Sequence, residues 1–179
     1  LISFFGLIVL SPIFGFIYFL IYLEKNNSPL FLQERLGKNK KKFTLVKFRT
    51  MRIDTKNCAT HLVNPNKVTK IGRFLRKTKL DEIPQLWNVL KGDMSMVGPR
   101  PCLTNQKELI IKRENLMLYK MKPGITGIAQ IKKIDMSNPN KLVNIESQMM
   151  LNFNLYFYFY CLILTFVGIG FGDRINYSK

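Results

Sequence analysis

The sequence predicts an α+β fold, mainly α, in which an apolar N-terminal helix and a small β-hairpin lead into a series of amphipathic helices. Three observations carry this prediction. Residues 1–23 contain no charged side chain. Residues 29–52 set two short β-prone runs on either side of Gly37-Lys38-Asn39. From Val68 onward, apolar residues recur at the spacing of one helix face.

The N-terminal segment, residues 1–23, is just long enough to cross a bilayer core at 1.5 Å per residue. It lacks the basic start and small-residue cleavage site of a signal peptide. Ser11-Pro12 lies at its middle. Proline there removes a backbone donor and crowds the carbonyl four residues back, so a kink is expected. Ser11 can help satisfy the freed backbone groups. Two paths stay open on these residues alone: a kinked span, or a re-entrant helix-break-helix that leaves by the face it entered. Lys25, Arg35, Lys38, Lys40, Lys41 and Lys42 follow, and positive residues mark the cytoplasmic side. The sequence opens on Leu1 rather than Met, and further residues are expected before it.

In residues 29–52, Leu30-Phe31-Leu32 and Phe43-Thr44-Leu45-Val46 read as strands. Residues 53–67 are polar around Asn64-Pro65-Asn66 and read as a loop. In the helix that follows, Ile71, Phe74 and Leu75 form one face, with Arg73, Arg76, Lys77 and Lys79 on the other. A break is expected between Thr78 and Asp81. Pro84 suits the first turn of a new helix that runs to about Leu90 and buries Ile83, Leu86, Trp87 and Leu90. Lys91-Gly92-Asp93 ends it, and Val97-Gly98-Pro99-Arg100-Pro101 forms a rigid loop. Residues 104–118 read as an amphipathic helix, and residues 122–127 as a second constrained loop. Residues 138–151 read as helical. Residues 155–167 are apolar but short for a span, which points to a core or interfacial helix. The resulting division is a membrane segment, residues 1–23, and a basic domain with amphipathic helices, residues 24–179.

Composition narrows the function. The 179 residues carry 28 Lys plus Arg against 11 Asp plus Glu, a formal charge of +17, so an anionic partner is expected. Apolar and basic residues are segregated along the chain, which favours a membrane over nucleic acid. No nucleic-acid-binding motif is present. Cys58, Cys102 and Cys161 show neither zinc nor disulfide spacing. His61 is the only histidine, which excludes a histidine triad partnered by further histidines or a multi-His metal site, and it reads as a loop residue.

The chemistry concentrates at Asp81-Glu82. With Asp81 as the N-cap of the helix containing Pro84, its carboxylate would sit at the positive end of the dipole, where phosphates also bind. An ordinary acidic first turn reads the same way. Arg73, Arg76, Lys77, Lys79 and Arg100 add positive charge nearby in sequence. Gly98, Pro99 and Pro101 present the Arg100 guanidinium stiffly, as bidentate phosphate recognition requires. A surface arginine in a turn would also read so.

Residues 70–101, with Leu80-Asp81-Glu82-Ile83-Pro84-Gln85-Leu86-Trp87-Asn88 and Met96-Val97-Gly98-Pro99-Arg100-Pro101 inside them, resemble the signature of the bacterial sugar transferases, the monotopic phosphoglycosyl transferases. Residues 31–37, Lys47-Phe48-Arg49-Thr50-Met51 and residues 122–130 match as well, so the likeness covers nearly the whole chain. The resemblance implies a re-entrant anchor broken at Ser11-Pro12, with amphipathic interfacial helices around a compact catalytic domain on the cytoplasmic face of the bacterial inner membrane. It implies Asp81 as nucleophile, Glu82 as its assistant and Mg²⁺ beside Asp81. Arg100, Arg76, Lys47, Arg49, Gly98 and Pro99 are the implied substrate and phosphate contacts.

The implied reaction moves a sugar 1-phosphate from a UDP-sugar to undecaprenyl phosphate and releases UMP. Small members of the family suggest an N-acetylated or deoxy amino sugar. The transfer would open a glycoconjugate pathway such as O-antigen, capsule, exopolysaccharide or glycoprotein. Residues 131–137 depart from the family's usual continuation after Gln130, which bears on the sugar rather than on the reaction. Partners are the UDP-sugar, undecaprenyl phosphate and an anionic bilayer, with no nucleic acid; a homodimer stays open. The competing class is a non-catalytic basic membrane-binding module.

Overall fold

In the computed structural model, the residues described are 1–25, 28–55 and 64–170. They pack as two compact units: Leu1–Gln33 with Leu45–Leu90, and Glu34–Thr44 with residues 91–170.

Helix α1 (Ile2–Lys25) carries Pro12 inside it. Pro12 has no N–H to offer the Ile8 carbonyl, and Ser11 Oγ donates to that oxygen instead, at 2.8 Å. The expected break at Ser11-Pro12 therefore does not interrupt the helix, because the orphaned acceptor finds a donor within the same turn. Ile17 and Ile21, one turn apart, are buried with Phe48 and Leu75. The Phe14 and Phe48 rings tilt together at 4.8 Å between centroids. Most of the rest of α1, including Phe5, Val9, Phe16 and Phe19, is exposed. Among the described residues, α1 is the one helix long and apolar enough to cross a membrane.

Strands β1 (Leu30–Leu36) and β2 (Lys42–Phe48) form the expected hairpin and run longer than the apolar stretches that predicted them. A short 3₁₀ turn, Lys38–Lys40, joins them. Asn39 and Lys40, not Gly37, take the positive φ values of 54° and 59°. Of the expected loop at 53–67, Asn64 caps a 3₁₀ turn at Pro65–Lys67. Residues 56–63, with Cys58 and His61, lie outside the described residues.

Helices α2 (Lys70–Thr78) and α3 (Gln85–Leu90) complete the first unit. Two sequence expectations fail here. Phe74, grouped with Ile71 and Leu75 on the apolar face of α2, is exposed, and Arg76, grouped with the other cations on the opposite face, is buried. Trp87 and Leu90 of α3 are also exposed, whereas Leu86 is buried. Periodicity identifies an apolar face without saying what covers it.

In the second unit, β3 (Ser95–Val97) and β4 (Gly124–Thr126) pair in parallel, Ser95 opposite Gly124 and Val97 opposite Thr126. The sequence predicted only rigid loops at their ends. Strands of three residues, set among glycines and prolines, carry no alternation to read. A Cβ at Gly124 would lie 2.1 Å from the Gly98 nitrogen, so glycine allows the close approach. Helix α4 (Lys107–Asn115) is shorter than the predicted 104–118 and is followed by a 3₁₀ turn, Leu118–Lys120. Helices α5 (Ile128–Ile131), α6 (Pro139–Leu151) and α7 (Leu155–Phe166) follow. Leu36, Cys102, Leu109, Leu118, Leu142 and Val143 form the main core of this unit. Helix α7 buries Cys161 in a small core cluster with Val97 and Ile131, against which Phe157, Tyr158, Leu162 and Leu164 pack, while Leu155, Tyr156, Ile163 and Phe166 are exposed.

Candidate active site

Asp81 owes its position to a backbone contact one element earlier. The Thr69 N–H donates to the Thr50 carbonyl at 3.1 Å, and the Thr69 hydroxyl caps α2 by accepting from Gly72 N–H at 2.9 Å. Gly72 then passes directly over Thr50. A Cβ at Gly72 would stand 2.1 Å from that carbonyl oxygen. The close passage brings Arg76, one turn on, beside Thr50, its Nη1 at 3.5 Å from Oγ1. Lys79 ends α2 in the left-handed region, φ 61°. The chain reverses into a 3₁₀ turn, Leu80–Glu82. Leu80 and Ile83, three apart, both pack against the core of Ile17, Ile21, Phe48 and Leu75. Asn88, fully buried, accepts from Val46 N–H at 3.0 Å and ties α3 to β2.

Asp81 and Glu82 are consequently both buried, at 5% and 8% exposure. Asp81 is not the N-cap of α3, as the sequence suggested, because it lies inside the 3₁₀ turn and α3 starts at Gln85. The positive field on it comes from side chains. Burial pushes the Asp81 carboxyl up to about 6, and the charge of Glu82 adds to that, while Lys47, Lys79 and Arg76 oppose it. Asp81 Oδ1 is buried without a hydrogen-bond partner.

The other predicted contacts divide between the two units. Lys47, Arg76 and Arg49 belong to the first with Asp81 and Glu82; Gly98, Pro99 and Arg100 belong to the second. Lys47 Nζ lies 5.2 Å from the Phe31 ring centroid. Arg49 is tied to the start of the hairpin: Nε donates to the Ser28 carbonyl at 2.8 Å and Nη2 to the Leu30 carbonyl at 3.1 Å. Two of its donors are thus spent on backbone, which leaves fewer for a phosphate.

Around Arg100 the backbone is held on every side. Gly98 N–H donates to the Thr126 carbonyl at 2.8 Å, and Gly124 N–H donates to the Pro99 carbonyl at 2.9 Å. Buried Arg35 donates from Nη1 to the Pro101 carbonyl at 3.0 Å, and Leu36 N–H to that of Cys102 at 3.0 Å. Arg35, Thr50 and the buried pair Arg113 and Glu146 were not singled out in the sequence. The first two sit inside stretches that match the family, which could have flagged them. Arg113 and Glu146 are 33 positions apart, and no local pattern joins them.

Among the described residues, no three His, Cys, Asp or Glu side chains gather as a metal cage. Asp81 and Glu82 offer two adjacent carboxylates, one of them with an unpaired buried oxygen. That set suits Mg²⁺, which takes one or two carboxylates and completes its shell with waters and substrate phosphates. It does not suit a zinc cage. Beside the Asp81 turn, Leu7, Leu10, Ser11, Phe14 and Ile83 line an apolar groove.

A family model described as bacterial sugar transferase matches residues 1–172. The chain belongs to that family. Among curated proteins, this bacterial sugar transferase is 40% identical over 135 residues to the exopolysaccharide production protein PSS of Rhizobium leguminosarum bv. phaseoli, covering 71% of this chain and 68% of that one. It is 41% identical over 129 residues to the UDP-glucose:undecaprenyl-phosphate glucose-1-phosphate transferase of Escherichia coli, covering 70% and 28%. It is 32% identical over 169 residues to the undecaprenyl-phosphate galactose phosphotransferase of Salmonella typhimurium, covering 84% and 35%. Against several further relatives, the chain spans between 33% and 55% of their length.

Proposed function

We propose that this bacterial sugar transferase carries the transfer chemistry of a phosphoglycosyl transferase. It moves a sugar 1-phosphate from a UDP-sugar to undecaprenyl phosphate, and Asp81 is the nucleophile. The observation that carries this reading is the Asp81 carboxylate, buried with Oδ1 unpaired and with Lys47, Lys79 and Arg76 bearing on it. A carboxylate in that field stays mostly ionised at neutral pH, although burial resists it. The names of the Escherichia coli and Salmonella relatives support the acceptor, and the former supports a UDP-sugar donor.

The reaction proceeds in two displacements. An Asp81 oxygen bonds to the sugar-bearing phosphorus, and the phosphoanhydride bond breaks with its electron pair leaving on UMP. An oxygen of undecaprenyl phosphate then bonds to the same phosphorus and returns the electron pair to the Asp81 carboxylate. Lys47, Arg76 and Lys79 lower the repulsion between the carboxylate and its anionic targets. Mg²⁺, held by Asp81 and Glu82, would supply charge neutralisation at the phosphate oxygens. Arg100, on its braced loop, holds a substrate phosphate through its guanidinium.

The exposed apolar faces of α1 and α7, with Phe74, Trp87 and Leu90, suit contact with lipid, and the charge of +17 suits an anionic cytoplasmic face. A re-entrant α1 would keep both of its ends on that face. The groove beside Ile83 suits the apolar tail of the acceptor. An N-acetylated or deoxy amino sugar is the proposed cargo, and the product opens a surface glycan or glycoprotein pathway.

The test is UMP release from a panel of UDP-sugars with undecaprenyl phosphate and Mg²⁺ in detergent or nanodiscs. Release is expected with at least one UDP-amino sugar, with ping-pong kinetics. No release from any donor overturns the reading.

A further inference from the structure

We infer that the buried ion pair between Arg113 of α4 and Glu146 of α6 is a positioning device that aims Arg100. The inference rests on the reading of Arg100 as a phosphate contact.

Arg113 and Glu146 are 3% and 0% exposed. The contact is a two-point fork: Nε donates to Oε2 at 2.9 Å and Nη2 to Oε1 at 2.6 Å. Taking two charges out of water is costly, and an apolar pair of similar volume often serves stability as well or better. Stability alone is therefore a weak reason for such a pair in the middle of a core. Its third participant supplies a better one, because Glu146 also accepts the backbone N–H of Arg100.

That N–H is singular. Pro99 and Pro101 have none, so Arg100 carries the only backbone donor of the three residues. The flanking carbonyls are already held, Pro99 by Gly124 N–H and Pro101 by Arg35. The following proline also confines Arg100 to extended backbone. Glu146 thus holds the one backbone donor at the base of the Arg100 side chain. Burial raises the Glu146 carboxyl, and Arg113 opposes that rise and directs the group through its two-point contact. Neither side chain touches substrate in this scheme, and both act through Arg100.

Displacing a phosphate-holding group by about 1 Å can cost roughly 10²-fold in kcat/KM. Three variants test the inference: Glu146→Gln, Arg113→Lys, and the apolar double variant Arg113→Met with Glu146→Leu. The double variant should keep the fold, because it leaves no buried charge unpaired. All three should lower kcat/KM for the UDP-sugar about ten- to hundredfold, carried mainly by KM. Adding Arg100→Ala to the double variant should cost little more, because both changes remove the same guanidinium contact.

A second readout stands apart from activity. Hydrogen exchange at the Arg100 amide should be slow in the unaltered chain and faster in Glu146→Gln. Wild-type kcat/KM in a folded double variant overturns the inference, as does an Arg100 amide that exchanges equally fast in both proteins. If no donor is turned over by the unaltered chain, the proposed function fails, and the exchange comparison still decides whether Glu146 holds the loop.

Discussion

Gly72 of α2 crosses the Thr50 carbonyl so closely that any Cβ would stand 2.1 Å from the oxygen. This crossing sets the distance between α2 and the end of the hairpin, and with it the place of Arg76 beside Asp81. Gly72→Ala should destabilise the protein by about 1–3 kcal/mol through overpacking. It should also reduce transfer more than Gly15→Ala, whose added Cβ meets nothing within 4 Å. Thermal denaturation and UMP release on both variants check this. Equal behaviour of the two would remove Gly72 from the account of the site.

Asp81→Asn separates chemistry from stability. Burial holds the Asp81 carboxyl near 6 against an ordinary 3.8, so keeping it ionised at pH 7 costs the fold about 3 kcal/mol. The metal-free variant should melt several degrees higher than the unaltered protein while transfer is lost. Retained turnover would remove the nucleophile, and a lower melting point would contradict the burial cost.

The same group sets a pH dependence. Its folded pKa lies above its unfolded one, so the folded state binds the proton more tightly. The resulting stability is full below about 3.8 and is lost as pH rises through about 6. Activity should run the opposite way, because in the proposed mechanism only the carboxylate attacks. Metal-free stability should therefore fall between pH 4 and 6, relative to Asp81→Asn, on the order of 3 kcal/mol in all. At limiting Mg²⁺, kcat/KM should rise over the upper part of that window. A flat difference between the two proteins would sink the assignment.

Mg²⁺ should raise the melting point of the unaltered chain at pH 7 and leave that of Asp81→Asn nearly unmoved, by linkage of binding to folding. Calorimetry with and without chelator reads this directly. An equal rise in both would place the ion elsewhere.

The path of α1 is open to labelling. With Cys58, Cys102 and Cys161 replaced, single cysteines at Ile2 and Ser28 should react with a membrane-impermeant reagent from the same side if the helix is re-entrant. Reaction from opposite faces would make it a span.

Legibility in the sequence followed the range of the interaction. The hairpin, the α2 break near Lys79, the start of α3 after Pro84 and the helix at α6 all rest on turn, cap and proline chemistry within a few residues. Each was read with its approximate bounds, except that α3 was expected to be capped by Asp81 and begins instead at Gln85. The β3–β4 pair was missed because its two strands are nearly thirty residues apart in sequence and hold only three residues each. The burial of Arg76 and the exposure of Phe74, Trp87 and Leu90 were missed because a helical period assigns faces and not neighbours.

By itself, the sequence determined the family and placed the hairpin and most of the helices. Asp81, Glu82 and Arg100, to which the proposed function gives the chemistry, stand within one stretch, residues 70–101, that is legible in the sequence. Only the tertiary structure decided what surrounds them: that Asp81 sits in a buried 3₁₀ turn under Lys47, Lys79 and Arg76 instead of capping a helix, and that Glu146 reaches Arg100 with Arg113 behind it. Backbone preferences act along the chain over a handful of residues, whereas desolvation and charge act through space, on whatever side chains the fold has brought within a few ångströms.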